Sequence, residues 1–175
     1  MGLKQFKTNY CCYIKRTEEE YTILIIWVDD FLAMSANKDL NNKIEKDLNL
    51  HFKVKSLGQP NLLLGIKIHV GVKTIKLSQS HSIDFLLDKY GLMDANPVST
   101  PMDLNVKLDI DTKNDEKEAE AKENLKISHS YTQLTGSLMY LALATHSDIS
   151  YAVNRLAQST SNPKAIHWTA VKRIF

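Results

Sequence analysis

Apolar positions in this chain follow two periods, and the switches between them mark out its elements. Tyr21-Thr22-Ile23-Leu24-Ile25-Ile26-Trp27-Val28 is a β-branched and aromatic run. Phe31-Leu32-Ala33-Met34 is a second, with Asp29-Asp30 between them, a pattern that predicts two strands meeting at an acidic turn. Tyr10 to Lys15, rich in aromatic and cysteine residues, precedes the polar stretch Arg16 to Glu20 and predicts a hairpin with the first run. The period then lengthens. Asn37 can cap a helix from Lys38 to Leu50 in which Leu40, Ile44 and Leu48 recur at helical spacing, so that one face would pack on the sheet.

Phe52-Lys53-Val54-Lys55 alternates, Gly58 and Pro60 break the chain, and Leu62 to Ile68 reads as another apolar strand. A turn at Gly71 follows, and Thr74 to Leu77 pairs back. A helix starts at Ser78 or Ser80, carries Ile83, Leu86, Leu87 and Tyr90, and ends at Gly91. Asn96-Pro97 and Thr100-Pro101 mark an extended linker. The run from Asp109 to Glu123 lacks large apolar anchors and reads as a loop or a loosely held helix, with a domain boundary placed there. Three helix-like segments complete the pattern, Tyr131 to Ala144, Asp148 to Gln158 and Pro163 to Phe175, with a break at Ser161-Asn162-Pro163. The last has no cap or breaker, and the natural domain is expected to extend beyond it.

Composition changes this picture little. An apolar share of 43% and a charged share of 24% over 175 residues suit one compact domain or two small ones. No apolar stretch reaches the roughly 18 residues that span a bilayer, and the first residues lack a secretory signal, so a soluble protein with an intracellular location and no membrane partner is expected. Cys11 and Cys12 are adjacent, ill placed to bridge or to build a zinc site, and read as reduced thiols. Charge is more telling once divided: of the net +2, the Asp109 to Glu123 run with seven acids and three lysines carries −4, leaving +6 on the remainder. A mildly basic body points weakly toward phosphate backbones.

The chemistry rests on Asp29 and Asp30. Carboxylates are almost never fully buried without a partner, yet these two sit between runs that must be largely buried. Either the pair occupies the exposed tip of a hairpin, where acids are common, or the turn projects two hard oxygen ligands into a cleft to hold a divalent metal. Spacing leaves both open. The histidines His51, His69, His81, His129 and His146 are scattered without ligand spacing. Tyr131, Ser137 and Ser147 have no base beside them in sequence. His167 and Trp168 are assigned to packing on an amphipathic helix. Lys53, Lys55, Lys67, Lys73 and Lys76 form either a solvated sheet face or contacts to a phosphate backbone.

An ordered series of blocks resolves the ambiguity. Ile26-Trp27-Val28-Asp29-Asp30-Phe31-Leu32 resembles the Tyr-Val-Asp-Asp turn of reverse transcriptases. Phe52-Lys53-Val54-Lys55-Ser56-Leu57-Gly58, Leu64-Gly65-Ile66-Lys67-Ile68, Leu77-Ser78-Gln79 and Ser99-Thr100-Pro101-Met102 resemble blocks of the copia-type retrotransposon enzymes, in the same order. So do Gly136-Ser137-Leu138-Met139-Tyr140-Leu141, Ser147-Asp148-Ile149-Ser150-Tyr151-Ala152-Val153 and His167-Trp168-Thr169-Ala170-Val171-Lys172-Arg173-Ile174. The resemblance covers practically the whole chain.

That resemblance implies an RNA-directed DNA polymerase working by two-metal nucleotidyl transfer with Mg2+ or Mn2+. Its partners would be an RNA template, a DNA primer and deoxynucleotide triphosphates, in a cytoplasmic virus-like particle. Asp29 matches the metal-coordinating carboxylate and Asp30 its neighbour. Trp27, beside Val28, stands where the family has a tyrosine near the primer terminus, keeping a stacking face but losing the hydroxyl. Leu64 and Gly65 match the region that grips the primer, and the helix from Gln79 to Tyr90 matches the start of the thumb, where Lys89 would touch a phosphate. Lys53, Lys55 and Lys67 are further candidate nucleic-acid contacts. The family's third carboxylate and its fingers would precede Met1, and a ribonuclease H domain would follow the last helix, so the chain alone is expected not to polymerise. The alternatives are a non-catalytic nucleic-acid-binding remnant and an inert transposon-derived fragment. The expected architecture is α+β. A partial palm with an antiparallel sheet spans 1–77, the thumb start and linker 78–108, an acidic loop 109–126 and a helical connection 127–175.

Overall fold

The computed structural model describes residues 2–17, 20–103, 105–106, 108 and 118–175, over 118–129 by backbone alone. The chain divides into two compact units, Met1–Pro60 and Asn61–Phe175. Both combine antiparallel strands with helices, the α+β class expected.

In the first unit, β1 (Lys4–Gln5), β2 (Cys12–Arg16), β3 (Tyr21–Trp27) and β4 (Asp30–Ser35) form one antiparallel sheet in sequence order. Side chains alternate across its faces. Thr22 and Leu24 are buried on one face, where Leu24 meets Ile44 and Leu48 of α1 (Lys38–Asn49) in a core that Tyr13, Ile26, Phe31, Ala33 and Val54 extend. The helix begins where the sequence places it: the Asn37 side chain accepts the Leu40 N–H at 3.0 Å from an extended backbone, replacing a partner that the first turn cannot supply.

Two expectations change here. Phe52 to Lys55 forms no strand; the Val54 N–H is taken by the Asn49 side chain at 3.2 Å, leaving Lys53 and Lys55 exposed on irregular backbone rather than on a ladder. The acidic pair is also displaced by one residue within its turn, as described below.

In the second unit, the run that reads as one strand from Leu62 to Ile68 folds back on itself. β5 (Leu62–Leu63) and β6 (Ile66–Val70) pair across a two-residue turn, and β7 (Ile75–Ser78) completes a three-stranded sheet. Lys67 and Lys76 are on these strands, whereas Lys73 is in the turn before β7. α2 (Ser80–Lys89) ends as expected at Gly91, whose φ of +64° allows the Gly91 N–H to reach the Asp88 carbonyl and the Leu92 N–H to reach that of Leu87. α3 (Glu118–Ala144), a 3-10 turn at Ser147–Ile149, α4 (Ser150–Ala157) and α5 (Ala165–Lys172) follow.

The acidic segment, read as a loop or a loosely held helix, is helical in its second half. Residues 109–117 lie outside the described residues, whereas 118–126 open α3, consistent with their alanine, glutamate and lysine content. The core packs Leu134, Leu138 and Leu141 of α3 against Val153 and Leu156 of α4, Val171 of α5 and Leu86 of α2. β5 to β7 group with these helices and not with the first sheet. The Tyr140 hydroxyl donates to the Leu64 carbonyl, tying the β5–β6 turn to α3, and the Thr145 hydroxyl, just past α3, donates to the Gln79 side chain at 2.7 Å, between β7 and α2. Among the described residues, no helix is long and apolar enough to cross a membrane.

Candidate metal and nucleic-acid site

The β3–β4 hairpin carries the acidic pair, and its register decides what each carboxylate does. Trp27 pairs with Asp30 and Ile26 with Phe31, so the two turn residues are Val28 and Asp29, and Asp30 is the first residue of β4. The sequence pattern alone sets the turn at Asp29-Asp30. The apolar run ends one residue earlier because Val28 does not join the ladder. With alternation along β3, Trp27 shares the face of Ile23 and Ile25, opposite the α1 side held by Leu24, and Asp30 shares it as the cross-strand partner of Trp27. Asp29 and Asp30 are both exposed, and the Trp27 indole is 52% exposed. The turn thus presents two consecutive carboxylates and one flat aromatic face at the same hairpin end.

Val28 is held at φ +54°, in the left-handed region where a β-branched side chain crowds its own backbone. Such strain persists only where surrounding structure over-determines it, and it is a recurrent mark of functional turns. Here the ladder from Thr22↔Ser35 to Trp27↔Asp30 imposes it.

The second hairpin has the same character. Leu64 and Gly65 are its two central residues, at φ +50° and +77°. Positive φ at both positions is the signature of the type I′ turn that suits the twist of paired strands. Neither residue lies within a strand, which corrects the extended segment read from sequence. Lys67, on β6, is exposed. Lys89, in the last turn of α2, places its Nζ 3.4 Å from the Gln133 amide oxygen and 5.4 Å from the centre of the Tyr90 ring.

The structure therefore brings Trp27, Val28, Asp29 and Asp30 together by chain adjacency on one turn. Lys53 and Lys55 belong to the same unit, and Leu64, Gly65, Lys67 and Lys89 to the other. Among the described residues, no group of three or more His, Cys, Asp or Glu side chains is placed to hold a metal ion. The packing roles expected for His167 and Trp168 are visible: buried His167 takes the Lys164 N–H on Nδ1 and bonds the Leu108 carbonyl through Nε2, both at 2.9 Å, and Trp168 packs on Tyr90. Sequence reasoning missed Tyr140 and its bond to Leu64, a tie spanning 76 positions that no local pattern carries. It also missed an open groove of about 670 Å³ between α2 and α3, walled by Phe85 and Tyr140 with His81, Gln133 and Ser137 along it.

Residues 1–104 match the sequence profile of the family described as Reverse transcriptase (RNA-dependent DNA polymerase). A Retrovirus-related Pol polyprotein from transposon TNT 1-94 of Nicotiana tabacum is 37% identical over 94% of this chain, which spans 12% of that relative. The Pol polyprotein from transposon RE1 of Arabidopsis thaliana is 32% identical over 99% of this chain and 11% of its own length. An uncharacterized mitochondrial protein of the same plant is 31% identical over 86% of the chain and 58% of its own length. No solved structure matches the chain.

Proposed function

The chain belongs to the reverse transcriptase (RNA-dependent DNA polymerase) family, and from that membership we propose that it works within the RNA-directed DNA polymerase of a copia-type retrotransposon, its β3–β4 turn supplying two carboxylates that hold catalytic divalent metal. One observation carries this reading: inside the matched region, Asp29 in the turn and Asp30 at the start of β4 stand consecutive and exposed, Asp30 paired with Trp27 in the ladder.

The donor chemistry suits magnesium, which sites of this kind hold through one or two carboxylates, with waters and substrate phosphates in the remaining positions. When bound, the metal would activate a primer hydroxyl and neutralise charge on the leaving pyrophosphate. The chain's own residues orient the partners. Asp29 and Asp30 set where the cation sits, and the strained backbone at Val28 fixes the direction in which Asp29 leaves the sheet. Trp27 offers a flat face to a sugar or base at the primer terminus. Leu64 and Gly65 offer a tight turn where backbone can approach a strand closely, and Lys53, Lys55, Lys67 and Lys89 offer cations to phosphates. In this reading residues 1–77 are part of a palm, 78–108 begin the thumb, and 127–175 are a helical connection. Template RNA, primer DNA, nucleotides and further segments of a Pol polyprotein are the partners.

The test uses the two tryptophans of the chain. With Trp168→Phe, Trp27 becomes the sole indole reporter. Mn2+ bound at the pair should quench it saturably, Mg2+ should compete, and Asp29→Asn with Asp30→Asn should abolish the response. Quenching that is linear in Mn2+ and indifferent to both substitutions would sink the metal assignment.

A further inference from the structure

We propose that Tyr140 is a positioning residue for the β5–β6 turn: the bond from its hydroxyl to the Leu64 carbonyl fixes the orientation of the Leu64–Gly65 peptide and so aims the Gly65 N–H at the primer strand. The proposal rests on the reading of that turn as a primer contact. It brings in α3, a helix outside residues 1–104 that match the family profile.

The ladder between β5 and β6 ends at Leu63↔Ile66. The peptide that joins Leu64 to Gly65 takes no part in it, so its carbonyl and its N–H need partners elsewhere. The Tyr140 hydroxyl supplies the carbonyl's. A trans amide is planar, with C=O and N–H pointing in opposite directions. With the carbonyl held by α3, the Gly65 N–H is therefore turned away from α3. Gly65 is exposed, at φ +77°, and among the described residues its N–H bonds no acceptor. A Cβ at Gly65 would lie 3.8 Å from the Tyr140 hydroxyl oxygen, so the tyrosine touches the turn on both sides of that peptide.

Packing alone does not account for this tyrosine. Leu134, Leu138 and Leu141 carry the buried face of α3, whereas Tyr140 is 39% exposed. It belongs instead to the stripe Gln133, Ser137 and Tyr140, at helical spacing, that walls the groove on the α3 side. The two ends of this stripe hold different elements: Gln133 accepts from Lys89 at the end of α2, at 3.4 Å, and Tyr140 holds the β5–β6 turn. A phenylalanine at this position would cover the groove wall equally well. Only the hydroxyl reaches a carbonyl 76 positions away. Because that acceptor is main chain, no side chain at position 64 replaces the bond. Leu64 and Gly65 shape the turn, and Tyr140 fixes how its outer peptide stands against α3.

The pair Leu-Gly occurs twice in the chain, at Leu57-Gly58 and Leu64-Gly65. Leucine labelled at its carbonyl carbon, together with glycine labelled at nitrogen, therefore gives one NMR peak for each pair in a spectrum that correlates a carbonyl with the following N–H. Tyr140→Phe should move the Leu64–Gly65 peak and leave the Leu57–Gly58 peak in place. An RNA–DNA hybrid, added in EDTA so that Asp29 and Asp30 stay out of the measurement, should shift the Leu64–Gly65 peak of the wild type. At hybrid well below saturation that shift should be about fivefold smaller in Tyr140→Phe, the worth of one ordinary hydrogen bond in holding the competent orientation. The thermal midpoint of the second unit should fall by about 5 °C or less. An equal hybrid response in Tyr140→Phe and wild type overturns the proposal, because the tyrosine then stabilises without positioning. A midpoint lower by more than about 10 °C also overturns it, since Tyr140 is then a packing residue. If the hybrid leaves the Leu64–Gly65 peak of the wild type unmoved, the primer-contact reading fails and the proposal with it. The two failures are distinct, since only the second needs no variant to be seen.

Discussion

Replacing Val28 by glycine should leave the first unit as stable or slightly more stable, the opposite of what glycine does in an ordinary hairpin strand. For valine at φ +54° the left-handed region costs about 1–2 kcal/mol. The side chain is 83% exposed, so deleting it forfeits little burial, about 0.4 kcal/mol at roughly 25 cal/mol per Å². Glycine adds back about 0.5–1 kcal/mol of extra chain entropy lost on folding. The balance is a gain of about 0.5 kcal/mol or less, and Val28→Asn, which tolerates positive φ without the glycine entropy cost, should gain about 1 kcal/mol. Met34→Gly on β4 is the reference and should cost more than about 1 kcal/mol, since it removes packing and weakens the strand. The assay is urea unfolding in the Trp168→Phe background, where Trp27 reports the first unit. A loss of more than about 1 kcal/mol for Val28→Gly, matching Met34→Gly, would refute the argument that strain sits at this turn. The same variant should weaken Mn2+ quenching of Trp27, because a freer turn no longer aims Asp29.

Further outcomes follow from the same geometry. Leu64→Asn creates an Asn-Gly type I′ turn between β5 and β6 and should raise the stability of the second unit by about 0.5–1 kcal/mol in thermal melts, a gain absent from Leu64→Ala. The Tyr131 hydroxyl, fully buried and donating to the Leu156 carbonyl at 2.7 Å, is pushed by burial from its ordinary 10.0 up to about 12. Its folded pKa exceeds the unfolded one, so its stabilisation is complete below pH 10 and is lost between pH 10 and about 12 at about 1.4 kcal/mol per pH unit. Tyr131→Phe should abolish that part of the alkaline decline while costing about 1 kcal/mol at neutral pH, because the Leu156 carbonyl keeps the Ser159 N–H. Asn37→Ala should destabilise the first unit by about 1 kcal/mol, read in urea, by orphaning the Leu40 N–H.

Much of the local structure is legible in the order of residues alone. The spacing of Leu40, Ile44 and Leu48 with Asn37 ahead of them specifies α1 and its cap, and Gly91 specifies the end of α2. The Asp29-Asp30 pair is visible as a carboxylate turn. What cannot be read is which two residues form that turn, because Val28 looks like strand in composition and only the pairing of Trp27 with Asp30 excludes it. The same holds for Leu62 to Ile68, apolar enough to read as one strand, whose reversal at Leu64-Gly65 depends on a ladder and on a tyrosine 76 positions away.

By itself, then, the amino-acid sequence determined β3 and β4, α1 with its cap, the end of α2 and the presence of two adjacent carboxylates in a reverse transcriptase motif, because periodicity and capping are interactions among residues within a few positions. Only the tertiary structure decided that Asp30 belongs to a strand while Asp29 crowns a strained turn, and that β5 to β7 join the helical unit. Those outcomes depend on ladder register and on contacts closing long loops, where no single residue's preference settles the result and the packing of the whole unit does.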